Sequence, residues 1–148
     1  MRLTLHTDYA LRVLLFLGMN QERRVSIHEI ATCYGISENH LVKVVHKLGQ
    51  GGFITTLRGR GGGLVLARPT AEISIGEVVR FTEEDLALVA CEQSGQFCLL
   101  TGACRLQGVL GQALGAFMAV LDNQSLADLL APPEFASLAE RLQNSHRQ

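Results

Sequence analysis

A chain of 148 residues, 47% apolar and 18% charged with a net charge of −1, has enough apolar content for one packed core plus an appended element. It is too short for two large domains, and its composition excludes the disordered class. The longest apolar run near the start, VLLFLGM at 13–19, is flanked by Asp8, Arg12, Arg23 and Arg24 and falls well short of the roughly 20 residues of a membrane span. An acidic residue precedes that run and no small-residue cleavage site follows it, which argues against a secretory leader. The expected location is cytoplasmic, with no membrane partner, and there structural disulfides are disfavoured.

Charge is unevenly placed. Residues 1–68 carry nine Lys and Arg against four acids, whereas residues 69–148 carry four against ten. A basic first half beside an acidic second half points the first half at a polyanion.

In chain order, Leu11, Leu14, Leu15 and Leu17 predict a buried helix over 8–19 with Thr7 as its N-cap. SIHEIATCYG follows. Ser26 and Glu29 make an S-x-x-E capping pattern, Ile27, Ile30 and Ala31 share a face, and Gly35 ends the helix. A second short helix opens at Ser37, with Leu41, Val44, Val45 and Leu48 facing inward and Asn39, His40, Lys43 and Lys47 outward. Two short helices joined by a tight glycine turn make a helix-turn-helix. The runs FITTL at 53–57 and LVLAR at 64–68 are strand-like, and RGRGGG at 58–63 joins them as a glycine-rich basic tip.

Helix, helix-turn-helix and basic hairpin stand in the order of a winged helix, whose second paired helix enters the major groove while the hairpin reaches the neighbouring minor groove or backbone. Lys43, Lys47, Arg58 and Arg60 would neutralise phosphates, with Gly59 between the two wing arginines. Ser37, Asn39 and His40 would reach base edges.

Ser74 and Glu77 repeat the S-x-x-E pattern for a helix from 75 to about 82, and Glu83, Glu84 and Asp85 mark its exit. Leu106, Leu110, Ala113, Leu114, Phe117 and Leu121 then recur at helical spacing over about 19 residues, a length of about 28 Å. This helix carries Gly108, Gly111 and Gly115, with Ala119 one turn on, although each interior glycine costs about 1 kcal/mol against alanine. Close approach of a second copy would offset that cost, so a homodimer packed along this helix is expected. SLADLL at 125–130 reads as a short helix capped by Ser125, PPEFASLAERLQ as a last amphipathic turn or two, and NSHRQ as a frayed end.

The expected fold is mostly α with a small β-hairpin wing. A winged helix-turn-helix DNA-binding domain spans 1–82, a cysteine loop 83–105, a dimerisation helix with the following short helix 104–131, and a tail 132–148.

Cys33 stands alone in the second helix and reads as packing. Cys91, Cys98 and Cys104 lie within one loop, separated by six and five residues, with Gly95 and Gly102 between them. No pair has the two-to-four spacing usual for zinc, while thiolates also suit iron–sulfur clusters, which normally take four protein ligands; the loop offers three. With no C-x-x-C, no nearby histidine base and no phosphate loop ending in Lys-Ser/Thr, a thiol or nucleotide enzyme is disfavoured.

Taken together, LHTDYALRVLLFLG, EIATCYGISENHLVKVV, RGRGGGLVL, the three-cysteine loop followed by RL, and LDNQSLADLL resemble the bacterial iron–sulfur winged-helix regulators that include NsrR, the nitric-oxide-responsive repressors, and IscR, the regulators of cluster assembly. The resemblance covers nearly the whole chain. It implies a dimeric repressor on a palindromic duplex operator, with a cluster in the cysteine loop. IscR-like members have a histidine three residues after the third cysteine, where this chain has Gln107. That departure argues against a histidine-ligated 2Fe-2S cluster. The NsrR-like members imply a 4Fe-4S cluster held by Cys91, Cys98 and Cys104, with Asp8 of HTDYA supplied by the other subunit.

A hard carboxylate on a centre that prefers sulfur would make that iron the labile one. The resemblance further implies nitric oxide as the signal, its attack on the cluster relieving repression of nitric oxide detoxification genes. The alternatives are a redox- or iron-sensing regulator of the IscR type and a winged helix with structural zinc.

Overall fold

The computed structural model describes residues 2–89, 104–131 and Ser137. Cys91, Cys98 and nearly all of the expected C-terminal turns lie outside the described residues.

Helix α1 (Leu5–Met19) is the hub, with Ala10, Val13 and Leu14 fully buried. It starts earlier than the periodicity suggests. Thr4, not Thr7, is the N-cap, its hydroxyl accepting from the Thr7 N–H at 3.3 Å. Thr7 is instead buried, and its hydroxyl donates to Thr82 Oγ1 at 2.9 Å, which in turn donates to the Val78 carbonyl at 2.9 Å. The sequence signal for a cap is a threonine before an apolar run, and two threonines satisfy it; only the partner 75 positions away separates them.

Helices α2 (Ile27–Tyr34) and α3 (Glu38–Gln50) form the helix-turn-helix. Ser26 and Glu29 cap α2 reciprocally, the Ser26 N–H donating to Glu29 Oε2 at 2.7 Å. Burial tends to raise the Glu29 pKa, but the hydrogen bonds from Ser26 and Arg23 outweigh it and hold this carboxyl below its ordinary value. Gly35, at φ 65°, ends α2, and the Ile36 N–H reaches back to the Ala31 carbonyl at 3.1 Å. All four residues expected to face inward from α3, Leu41, Val44, Val45 and Leu48, are buried.

Strands β1 (Ile54–Leu57) and β2 (Gly63–Leu66) pair antiparallel, from Ile54 opposite Leu66 to Leu57 opposite Gly63. Val25, in the connection before α2, bridges Leu64 on the other edge, with N–H···O distances of 3.1 and 2.7 Å. The wing is thereby stitched to the helix-turn-helix. Buried Phe53 anchors its base, its ring 5.6 Å from that of Phe81 and stacked by the Arg68 guanidinium at 4.9 Å.

After a 3-10 turn at Thr70–Glu72, α4 (Ile75–Thr82) packs on α1 and on the long α5 (Arg105–Asp122). The α4–α5 joint is a bidentate ion pair: Arg80 donates from Nη1 to Asp122 Oδ1 and from Nη2 to Oδ2, the latter at 2.6 Å. Hydrogen bonding to Arg80 keeps the Asp122 carboxyl below its ordinary range. Gly76 lies directly under this carboxylate, where a Cβ would collide with Asp122. Short α6 (Leu126–Leu129) continues the seam, with the Leu126 N–H donating to the Ile73 carbonyl at 2.8 Å and Leu126 fully buried.

Helix α5 is apolar on two sides. Leu110, Leu114, Phe117 and Leu121 are half-buried and Met118 is buried. Leu106, Val109, Ala113, Ala116 and Val120 follow a three-four spacing along the other side and are all exposed, Leu106, Val109 and Val120 by 60% or more. Around Gly108, Gly111 and Gly115 there is open space.

Candidate functional site

With 3.6 residues per turn, Asn39, Lys43, His46 and Gln50 fall on one line of α3, opposite the buried residues, and all four are exposed. His46 and Gln50 are joined through their Nε2 atoms at 3.1 Å. Ser37 is the N-cap of α3, its hydroxyl accepting from the His40 N–H at 3.4 Å. His40 is exposed at the side of the helix, its ring 6.3 Å from that of Tyr9.

Lys47 is carried elsewhere. It is half-buried, with its ammonium 4.9 Å from the centre of the Phe81 ring, and it lines a cleft with Glu83, Glu84 and Asp85. His46, Gln50 and the 52%-exposed Val42 are exposed residues of α3 that the sequence reading passes over. Strict helical spacing from Asn39 and Lys43 would have found the first two.

The wing tip presents Arg58, Gly59 and Arg60 to solvent. Gly59 and Gly61 adopt φ of 92° and 73°, so the tight loop needs glycine at both positions. Arg24 braces the tip by donating to the Gly61 carbonyl at 2.8 Å. Among the described residues Lys43, Arg58 and Arg60 make no ion pair, whereas Arg12, Arg23, Arg68 and Arg80 each hold a carboxylate. At Lys43, Arg58 and Arg60, binding phosphate breaks no existing ion pair. At the start of α3, Glu38 is drawn toward α2 by His28, Nδ1 to Oε1 at 2.7 Å.

Of the thiols, Cys104 is placed at the N-cap of α5, half-buried, with no capping bond from its side chain. Asp8 lies in the first turn of α1, its carboxylate 42% exposed and accepting from Arg12 Nε at 3.0 Å. Among the described residues no group of three or more His, Cys, Asp or Glu is arranged to hold a metal ion.

The segment that leads toward the cysteine loop is tied to α1. Glu83 Oε1 accepts from the Thr4 N–H at 2.8 Å and from the Thr4 hydroxyl at 3.1 Å. Burial opposes ionisation of Glu83, but the hydrogen bonds at the head of α1, from the Thr4 N–H and hydroxyl, prevail and hold its carboxyl below the ordinary value. Among the described residues no helix is long and apolar enough to cross a membrane.

Residues 3–132 match the Rrf2 family, described as an iron-dependent transcriptional regulator. The chain is 54% identical over 132 residues to the HTH-type transcriptional regulator NsrR of Geobacillus kaustophilus, covering 88% of this chain and 90% of that one. It is 47% identical over 136 residues to NsrR of Bacillus subtilis, covering 90% and 93%. Among solved structures it is similar to CymR, the global cysteine regulator of B. subtilis, at 25% identity and a TM-score of 0.74 over 87% of this chain and 95% of that one. It is also similar to IscR of T. potens, at 25% identity and a TM-score of 0.70 over 88% and 86%. These relatives are regulators and not enzymes, and they share the winged-helix architecture built above. With a basic wing, a cation-bearing recognition helix and a family match along nearly its whole length, the chain belongs to the Rrf2 family of DNA-binding transcriptional regulators, and its sequence is similar to the NsrR members.

Proposed function

We propose that the protein is a homodimeric repressor that senses nitric oxide through a 4Fe-4S cluster held by Cys91, Cys98 and Cys104, with Asp8 contributed by the other subunit. The observation that carries this reading is the pairing of a histidine-free three-cysteine loop, with Gln107 three residues after the last cysteine, with 54% identity to an NsrR regulator. The donor chemistry fits. Three soft thiolates suit iron–sulfur, and Cys104 has a sulfur uncommitted to capping at a helix start, where the backbone favours negative charge.

Asp8 is available too. Its bond to Arg12 is an exposed i, i+4 ion pair, worth only about 0.3–0.5 kcal/mol, so exchanging Arg12 for another partner costs little. The cluster, when bound, supplies the chemistry with nitric oxide that registers the signal.

The chain's own residues transmit the result. Asp8 stands on α1, which packs directly on recognition helix α3, and Thr4 at the head of α1 holds Glu83 at the exit of α4. Cys104 begins α5, whose far end is locked to α4 by Asp122 and Arg80. The exposed stripe Leu106, Val109, Ala113, Ala116 and Val120 is the proposed two-fold seam, and a dimer spaces its two α3 helices for successive major grooves, about 34–36 Å apart. Asp8 ligation across that seam ties the α1 of one subunit to the loop of the other. A coupling of about 1–3 kcal/mol between the two sites changes DNA affinity about 5- to 150-fold.

The test is oxygen-free reconstitution with iron and sulfide, followed by nitric oxide titration read by gel shift on a palindromic operator. Affinity should fall across that range in the wild type, with no such response in Cys98→Ala. Nitric-oxide-independent binding by the loaded protein would overturn the reading. Colourless material without iron or acid-labile sulfide would point to the zinc alternative.

A further inference from the structure

We propose that Val42 is a specificity-determining residue that reads the 5-methyl group of a thymine in each half-site of the operator. This rests on the assignment of α3 to the major groove.

The exposed large apolar side chains among the described residues are Leu5, Val42, Leu106, Val109, Val120 and Leu129. Three of them belong to the proposed dimer seam on α5. Val42 is the one on α3, 52% exposed, and the seam does not account for it. Nor does helix formation, since a β-branched residue is a poorer helix former than the Lys or Gln that a solvated face would favour.

Its neighbours one helical turn away are Glu38 and Asn39 on one side and Val45 and His46 on the other. Val45 is buried in the core and the other three are polar and exposed, so Val42 is an apolar spot at the edge of a hydrogen-bonding surface. The Glu38 carboxylate one turn before it is held by His28 of α2, Nδ1 to Oε1 at 2.7 Å, while Val42 keeps about half of its surface exposed.

In the major groove the bases present hydrogen-bond donors and acceptors with a single apolar exception, the thymine methyl. An isopropyl group there can make no hydrogen bond. Against the cytosine amino group or the guanine carbonyl it would displace water without replacing it, whereas against a thymine methyl it loses nothing and buries apolar area from both partners. Asn39 and His46, flanking it, have the donors and acceptors to read the adjoining bases, so the three side chains together present a polar–apolar–polar pattern to the groove.

The experiment selects operators from a random duplex pool with the full chain, purified without air and tested both before and after iron–sulfide reconstitution. Each thymine of the winning duplex is then replaced by uracil, which removes the methyl and nothing else. For wild type, one thymine per half-site should cost about fourfold in affinity, the burial of one methyl-sized group, and about fifteenfold when both half-sites are changed. Val42→Ala should bind the thymine duplex correspondingly more weakly and show no further loss with uracil. Val42→Thr, equal in size with one methyl exchanged for hydroxyl, guards against a packing artefact, and matched thermal unfolding confirms that each variant folds.

Uracil tolerated at every position by wild type, or equal uracil sensitivity in Val42→Ala, overturns the proposal. Lys43→Ala separates that failure from failure of the α3 assignment. Uniform weakening across sequences by Lys43→Ala keeps α3 in the groove and condemns Val42 alone. No effect of Lys43→Ala, or no enriched duplex at all, overturns both.

Discussion

The two halves of the molecule solve different folding problems. In residues 2–82 every helix buries a full face against the others, and the core runs without a break from Ala10 through Leu41 and Leu48 to Phe53, Leu64 and Val78. In α5 one residue, Met118, is buried, and a five-residue apolar stripe faces outward. An isolated helix of 18 residues containing three glycines is marginal in water, so α5 draws its stability from its joint with α4 and, in our reading, from a second copy. Leu126 of α6 belongs to the same core as the first half, so the two halves are joined there. Helix α5 is the element left to be completed by something else, which is what a regulated element requires.

This contrast can be broken by mutation. Phe53→Ala should destabilise the chain by about 3–5 kcal/mol in a denaturant melt, because a fully buried ring is removed from the base of the wing. Val120→Ala should cost less than about 0.5 kcal/mol in dilute monomer, its side chain being 65% exposed. Comparable losses in the two variants would show α5 to be part of one undivided core.

Next in size is the seam. Val109→Asp places a charge on the exposed stripe and should convert a dimer to monomer in sedimentation at micromolar concentration, while far-ultraviolet dichroism stays within a few per cent. Operator affinity should then drop by at least about 100-fold, as linkage of the two half-site contacts is lost. A wild type that sediments as monomer at that concentration removes the dimer from the account.

The smallest effect sharpens the basic side of the comparison. Arg58→Ala and Arg60→Ala should each lower the slope of log affinity against log salt by about 1.8, one phosphate contact in each half-site. Lys47→Ala should leave the slope unchanged, because its ammonium rests on Phe81 beside an acidic cleft. A salt slope that responds to Lys47 and ignores the wing would move the DNA surface to another face.

Much of this was legible in the residues. The reciprocal cap of Ser26 and Glu29, the stop at Gly35, the inward face of α3 and the hairpin around RGRGGG all rest on signals that act within a few positions, and the structure reproduces each. The candidate DNA site was legible only in part. Residue type nominated Lys47 as a phosphate ligand, but its half-burial against Phe81, a residue 34 positions on, is a product of packing. Val42 was assigned to neither face of α3, because an apolar residue off the inward line carries no polar signal for an exposed role, and its 52% exposure appears only once the helix is seated.

By itself, then, the amino-acid order determined the element types, the serine caps of α2, α3, α4 and α6, the sign of the charge on the wing and the clustering of the thiols, since hydrophobic period, capping chemistry and glycine placement are local properties. Tertiary structure alone decided which threonine caps α1 and which meets Thr82, which cations stay unpaired, how Asp122 locks α5 to α4 through Arg80 above Gly76, and which side of α5 is left bare. The Thr7–Thr82 and Arg80–Asp122 contacts bring together groups 75 and 42 positions apart, and no local pattern records those distances.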